Sequence, residues 1–458
     1  MNMSMTQIDT PILPPGPRWT LPVLRLWQLR QDPLGFLSSL ARTYGDIAHF
    51  NIGPRHYYLL SHPDFVRQVL VDDAGAVHDG KAMQRLKALL GEGLPTNEGP
   101  VHAQMRQGML PAFQQPALAE YLGKMNRQVT LHTADWQDGD VIDVAKAMNQ
   151  LTLRIIGATL LAYDLSAELE TLGSALETLT AFTDPLKMAA SGWLLRLPTP
   201  QRRRARSATA ALNRVIDDVL AVHRGGRALH PNGVVTHLLA MRNKDSAPLA
   251  EQTIRDHLVT LLRDAYETTA TALARTWHLL AQHPEVEARL SAEVDALLGE
   301  VGEVNSETLP RLSYTRLVIK EALRLYPPTW IIERQTQRPL LVGGYEIPAG
   351  SDILMSQWTM HRDPRYYDDP GAFRPERWQT ARGKRAPAFA YFPFGGGPSS
   401  CIGEQLAWTA GTLILAHIAR HWRATNLREA ATAGVVTGVI QDRPRPVDPV
   451  QIRLRRRS

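Results

Sequence analysis

The chain contains one cysteine, Cys401, within the run Phe394-Gly395-Gly396-Gly397-Pro398-Ser399-Ser400-Cys401-Ile402-Gly403. Glycines let a backbone approach a flat partner closely. A cysteine at the start of a helix feels the positive end of its dipole, which favours the thiolate, the form that ligates metals. A single cysteine excludes an intrachain disulfide and a multi-cysteine zinc site, and it fits a reducing compartment.

Three further groupings carry polar chemistry. Asp264-Ala265-Tyr266-Glu267-Thr268-Thr269 sets carboxylates beside hydroxyls. A hydroxyl there can hold a water and relay protons that a neighbouring acid supplies. A threonine in mid-helix can also bond back to a carbonyl and bend the helix. Glu321 and Arg324 are spaced to share one helix face and pair. His102 and Arg106 lie one helical turn apart. Each grouping alone is common in structural roles; together, in this order, they are not.

The elements that must position them are legible. Glu251 to Gln282 is periodic and free of Gly and Pro, which predicts a helix long enough to cross a domain. Helices are also expected over Asp32–Tyr44, Ser313–Leu325 and Glu404–Ala419. Ile47–Leu60 reads as a hairpin broken at Gly53-Pro54, and Leu340–Met355 as strands and turns. Pro14-Pro15-Gly16-Pro17 is a stiff segment that cannot be helix. Pro63–Gly302 is mostly helical in pattern, with polar connections expected at Pro200–Arg206 and Arg224–Asn232.

Composition is that of a globular protein, with 44% hydrophobic and 21% charged residues among 458. Length alone would suggest two or three domains. The net charge is +6, with runs at Arg202–Arg204 and Arg455–Arg457. These runs lack interleaved aromatics, which argues against nucleic-acid binding; they read as a solvated surface or as a face for an acidic partner. No apolar run reaches the roughly 18 residues that span a bilayer. No secretory signal is seen, and a cytoplasmic location without membrane attachment is expected.

These motifs resemble those of the cytochrome P450 family. The cysteine run is similar to the family's haem-binding loop, whose thiolate pushes electron density onto iron and so favours O–O cleavage. The resemblance implies a mainly α fold with a smaller β-rich region, residues 1–458 as one domain, and haem b held between the long oxygen-activation helix and the cysteine loop. It implies Cys401 as iron ligand, with Phe394, Gly397, Ser399 and Gly403 against the haem and His102, Arg106 and Arg334 at its propionates. Glu267 and Thr268 would be catalytic. Glu321, Arg324 and Arg377 would form a structural triad. Asp264, Ala265, Trp330, Ile331 and Ile332 would line the substrate pocket, with residues near Met83–Leu90 and Leu179–Leu186.

Two departures stand out. Ser399 replaces the arginine usual two residues before the cysteine. Asp264 replaces a small apolar residue; it would meet a substrate group, a water or a haem methyl, or else face away and pair with Arg263 or Arg255. The function implied is a monooxygenase that inserts one oxygen atom from O2 into a small, largely apolar molecule: a terpenoid, fatty acyl or polyketide compound. Its electrons would come from a separate ferredoxin and ferredoxin reductase. Alternatives are a peroxide-driven or rearranging haem-thiolate enzyme and a haem-binding sensor; the Glu267-Thr268 pair argues against both.

Overall fold

The computed structural model describes residues 13–17, 31–80, 83, 84, 87, 90–182, 199–243, 246–299, 302–426 and 450–457. Helix α1 (Pro33–Tyr44) starts at Asp32, whose side chain accepts from the Gly35 amide at 2.8 Å. The hairpin follows as β1 (Ile47–Ile52) and β2 (Arg55–Leu60), in antiparallel register from Ile47↔Leu60 to Ile52↔Arg55. Gly53 turns it with φ +60°, a conformation that suits glycine.

The remaining strands are β3 (Val77–Asp79), β4 (Val141–Asp143), β5 (Ile332–Thr336), β6 (Leu340–Val342), β7 (Tyr345–Ile347), β8 (Asp352–Met355), β9 (Trp422–Asn426) and β10 (Gln451–Arg456). They form a five-stranded sheet in the order β1-β2-β8-β5-β3, a three-stranded sheet β4-β10-β9 and the pair β6-β7. Among the pairings of the described residues, β2–β8 is parallel and the others are antiparallel.

The main helices are α2 (Gly99–Met109), α3 (Ala117–Thr133), α4 (Val144–Ile156), α5 (Leu169–Phe182), α6 (Pro200–Arg224), α7 (Glu251–Leu280), α8 (Pro284–Leu298), α9 (Ser313–Leu325) and α10 (Glu404–His421). Helix α7, 30 residues and so about 45 Å long, is the axis of the fold. It packs along α4 and against α6, α9 and α10. The largest apolar core surrounds it, and two smaller cores lie under the five-stranded sheet and between α1 and that sheet. The mainly α architecture with small sheets is the fold class expected.

One connection differs from the sequence reading. Pro200–Arg206 is not a loop but the first turns of α6. Thr199 caps it by accepting from the Arg202 amide at 3.2 Å, and Pro200 fits the first turn, where no amide partner is needed. The arginine run stays in solvent while Ala205, Ala208 and Leu212 turn inward.

Candidate active site: the chamber between helix α7 and the cysteine loop

Along the middle of α7, Leu261, Asp264, Ala265 and Thr268 share one helical face and are partly accessible, as are Arg263, Glu267 and Thr269 beside them, while Leu258, Leu262, Tyr266 and Ala270 are buried. Accessible surface on one face of a helix packed at the centre of the molecule bounds an internal chamber. Cys401 faces the same space. It is the free cysteine and has accessible surface, yet desolvation is the largest influence on its thiol. The charge of Asp264 also acts on the thiol, so helix and loop confront each other across the chamber.

The loop geometry is set by its glycines. Gly395 and Gly397 adopt φ +73° and +67°. A Cβ on Gly397 would fall 1.8 Å from the Leu70 carbonyl oxygen, and one on Gly396 would fall 2.5 Å from the Phe389 ring. Only glycine allows this close fold. The Cys401 amide donates to the Phe394 carbonyl at 2.9 Å and the Ser400 amide to that of Gly397 at 3.1 Å.

Helix α10 begins at Glu404, with Gly403 as its cap, so Cys401 lies just ahead of the helix. The sequence leads one to expect a thiolate stabilised by the helix end. In the protein without a metal, burial pushes the thiol up from its ordinary value, the Gly403 amide opposes this, and the charges of Asp264 and Glu404 add to the rise.

The acid and hydroxyl of α7 are both engaged. Thr268 Oγ1 donates to the Asp264 carbonyl at 2.7 Å, the back-bond its mid-helix position permits. Glu267 Oε2 accepts from Thr180 Oγ1 on α5 at 2.7 Å. Asp264 pairs with Arg263 at 2.7 Å and keeps 39% of its side chain exposed, against 13% for Arg263. The pairing with Arg263 is realised, with part of the Asp264 side chain left accessible; Arg255 pairs with Asp217 and Glu251 instead. Burial raises the Asp264 carboxyl from its ordinary value, Arg263 opposes that, and Glu267 reinforces it.

A basic group lies at the chamber's side. His102 has its pKa lowered by burial and then by the charges of Arg106 and Arg334, which places the three together. Arg106 donates to the Ser400 carbonyl at 2.6 Å and to Ser400 Oγ at 3.2 Å, gripping the cysteine loop. Arg334 pairs with Asp79 at 3.0 Å, directly across the β3–β5 ladder. Ser399 is exposed. Ile332 borders the loop, 3.7 Å from where a Cβ on Gly395 would stand. Trp330 is only 7% exposed and is packed in the core between α1 and the sheet, with Ile331 against it. Met83, Leu90 and Leu179 belong to or pack on the main core; residues 183–186 lie outside the described residues.

Beneath the loop, Glu321, Arg324 and Arg377 form a buried cluster dense in hydrogen bonds. Arg324 donates to both Glu321 oxygens, at 3.0 and 2.8 Å, and Arg377 Nε to Oε1 at 2.7 Å. The arginines also bond the carbonyls of His361, Pro370, Asp368, Asp369 and Ala372. Trp378 Nε1 donates to Glu321 at 3.0 Å, and the His361 ring accepts from the Phe392 amide at 3.0 Å, joining the cluster to the start of the loop. Sequence reasoning missed the roles of Trp378, His361 and Asp79, and it placed Thr180 only within the Leu179–Leu186 pocket stretch, not as the partner of Glu267. Trp378, adjacent to Arg377, also carried a signal.

One soft sulfur donor in a glycine cradle, the Leu261–Ala265 surface of α7 opposite, and two arginines with a histidine at one side fit an iron porphyrin bearing two carboxylates. Fold and site thus define a haem-thiolate protein. The family model described as Cytochrome P450 matches residues 14–431, and the chain belongs to the cytochrome P450 family. It is a haem-dependent monooxygenase. It is 38% identical to cyclooctat-9-en-7-ol 5-monooxygenase of Streptomyces melanosporofaciens, over 87% of this chain and 86% of that protein. Cyclooctatin synthase of the same organism is 34% identical, over 91% and 92%, and pentalenene oxygenase of Streptomyces avermitilis 34%, over 87% and 88%. Among the described residues no helix is long and apolar enough to cross a membrane.

Proposed function

We propose that this monooxygenase acts on a cyclic terpenoid in the cytoplasm, as one domain holding haem b, with electrons from a ferredoxin and its reductase. One oxygen atom of O2 enters a C–H bond; the other leaves as water with two electrons and two protons. The observation that carries the substrate class is the similarity, over nearly the whole chain, to oxygenases named for cyclooctatin and pentalenene. The chamber wall supports it, because Leu261 and Ala265 offer apolar surface.

Bound haem supplies the oxygen-activating chemistry, with Cys401 as its thiolate ligand. His102, Arg106 and Arg334 would hold its propionates, and the Phe394–Gly403 loop would carry the thiolate that ligates its iron. Thr268 has its own proton committed to the Asp264 carbonyl. Its oxygen is then an acceptor that orients a water in the chamber. Glu267 delivers protons to that water from the side where Thr180 holds it. Ile332 closes the wall beside Gly395 of the loop, and Ile331 packs with Trp330 in the core between α1 and the sheet.

Holoprotein with a surrogate ferredoxin and reductase, offered cyclic terpenes under 18O2, should give products carrying one labelled oxygen. The red-shifted Soret band of the reduced carbon monoxide complex should vanish in Cys401→Ser. Turnover of fatty acyl but no terpenoid compounds would overturn the substrate class.

A further inference from the structure

We infer that Asp264 anchors the substrate, and that it selects a terpenoid already carrying a hydroxyl group; the inference rests on the terpenoid reading above. Asp264 is a carboxylate on the partly accessible face of α7 that also carries Leu261, Ala265 and, one turn further on, Thr268. Arg263 Nη1 holds its Oδ1. Among the described residues none donates to Oδ2. The exposures of 39% for the acid and 13% for the arginine show which partner meets the chamber.

A carboxylate turned into an apolar chamber is costly unless its acceptors are used. The rest of that face provides no donor. Leu261 and Ala265 have none, and the Thr268 proton goes to the Asp264 carbonyl. When a bulky substrate displaces water from this face, the donor for Oδ2 comes with the substrate.

Charge decides which donor. Arg263 already balances the carboxylate, so an ammonium group at Oδ2 would put two cations around one anion in a poorly solvated space. A neutral O–H satisfies Oδ2 without adding charge. Desolvation and the charge of Glu267 both disfavour the free carboxylate, so a donated hydrogen bond relieves an existing strain. The reaction that supplies this substrate is therefore one that has already installed a hydroxyl on the ring system.

The test uses holoenzyme and Soret-shift titrations with two matched sets, one terpenoid and one not. Each set is a cyclic hydrocarbon, its secondary alcohol and the methyl ether of that alcohol. The wild type should bind the alcohol about tenfold tighter than the hydrocarbon, the worth of one hydrogen bond to a charged acceptor. Asp264→Ala should erase that advantage, so that the alcohol and the hydrocarbon bind alike. Asp264→Asn keeps an oxygen for Arg263 and guards against misfolding. It turns a donor toward the chamber, so the alcohol should lose its lead over the ether. An alcohol preference that survives both substitutions overturns the anchor. A preference confined to the non-terpenoid set keeps the anchor and sinks the terpenoid reading. If neither set binds the wild type, both fall.

Discussion

Thr180 on α5 donates its hydroxyl proton to Glu267 Oε2 at 2.7 Å, tying the acid of the central helix to a different helix. A carboxylate fixed in this way presents its other oxygen in a set direction, which a proton relay requires. Thr180→Val removes that donor at nearly constant volume. The kinetic solvent isotope effect on turnover should rise and more reducing equivalents should end as hydrogen peroxide, with substrate affinity little changed. An unaltered isotope effect would show that the bond is only structural.

Thr268 should separate from Thr180 in the same assay. Its hydroxyl is bonded to the Asp264 carbonyl and lies on the chamber face, so it orients water directly. Thr268→Ala should uncouple electron use from product formation, whereas Thr268→Ser, which keeps the hydroxyl, should retain most coupling. Equal product yield per electron in Thr268→Ala and the wild type would remove Thr268 from the relay.

The Glu321 cluster predicts a stability effect. Glu321 and Arg324 are fully buried, and Glu321 receives bonds from Arg324, Arg377, Trp378 and the Arg374 amide. Removing one partner strands a buried charge at a cost of roughly 3–5 kcal/mol. Arg377→Ala and Glu321→Ala should yield little holoprotein. Trp378→Phe loses one neutral donor and should cost only about 1–2 kcal/mol. Thermal denaturation and haem content per chain give both readings; full haem loading in Glu321→Ala would contradict a bracing role.

Much of this site is written in local sequence. The cysteine loop, the acid-hydroxyl pair and the Glu321–Arg324 spacing each lie within a few residues, so their patterns survive reading in one dimension. What was not legible joins distant segments. Thr180 meets Glu267 across 87 positions, and Asp79 meets Arg334 only because β3 pairs with β5. Trp330 follows a motif that points toward the chamber, yet its large apolar surface is taken up by the core beside α1. The helix over Pro200–Arg224 was hidden by its own charge, since arginines on the exposed face resemble a loop until the inward alanines are counted.

The Arg334–Asp79 pair makes haem retention adjustable in both directions. Asp79 draws on the charge of Arg334, and burial still leaves the Asp79 carboxyl above its ordinary value. With Ser399 where the resemblance leads one to expect an arginine, Arg106 and Arg334 would carry more of the proposed propionate anchoring. Arg334→Ala should speed haem transfer to an acceptor apoprotein. Asp79→Asn, which releases the guanidinium, should slow it, and Ser399→Arg should slow it as well. Faster transfer from Asp79→Asn would mean that Asp79 is needed to aim Arg334.

Buried histidines set the acid limit of the fold. His132, His257, His278 and His417 are each pushed down to about 4, chiefly by burial. A histidine with a lowered native pKa is neutral in the fold, so its contribution is present above its unfolded value near 6.5 and is lost as pH falls toward 4. His257 is the sharpest case, 1% exposed and with neither ring nitrogen bonded. It should add about 1.4 kcal/mol per pH unit to the loss of stability in that window. His257→Gln stays neutral throughout. Melting temperatures of the holoprotein between pH 7 and 4 should therefore fall less steeply in the variant than in the wild type. Parallel curves would mean that His257 is protonated in the fold at little cost, with a partner for the imidazolium inside the protein.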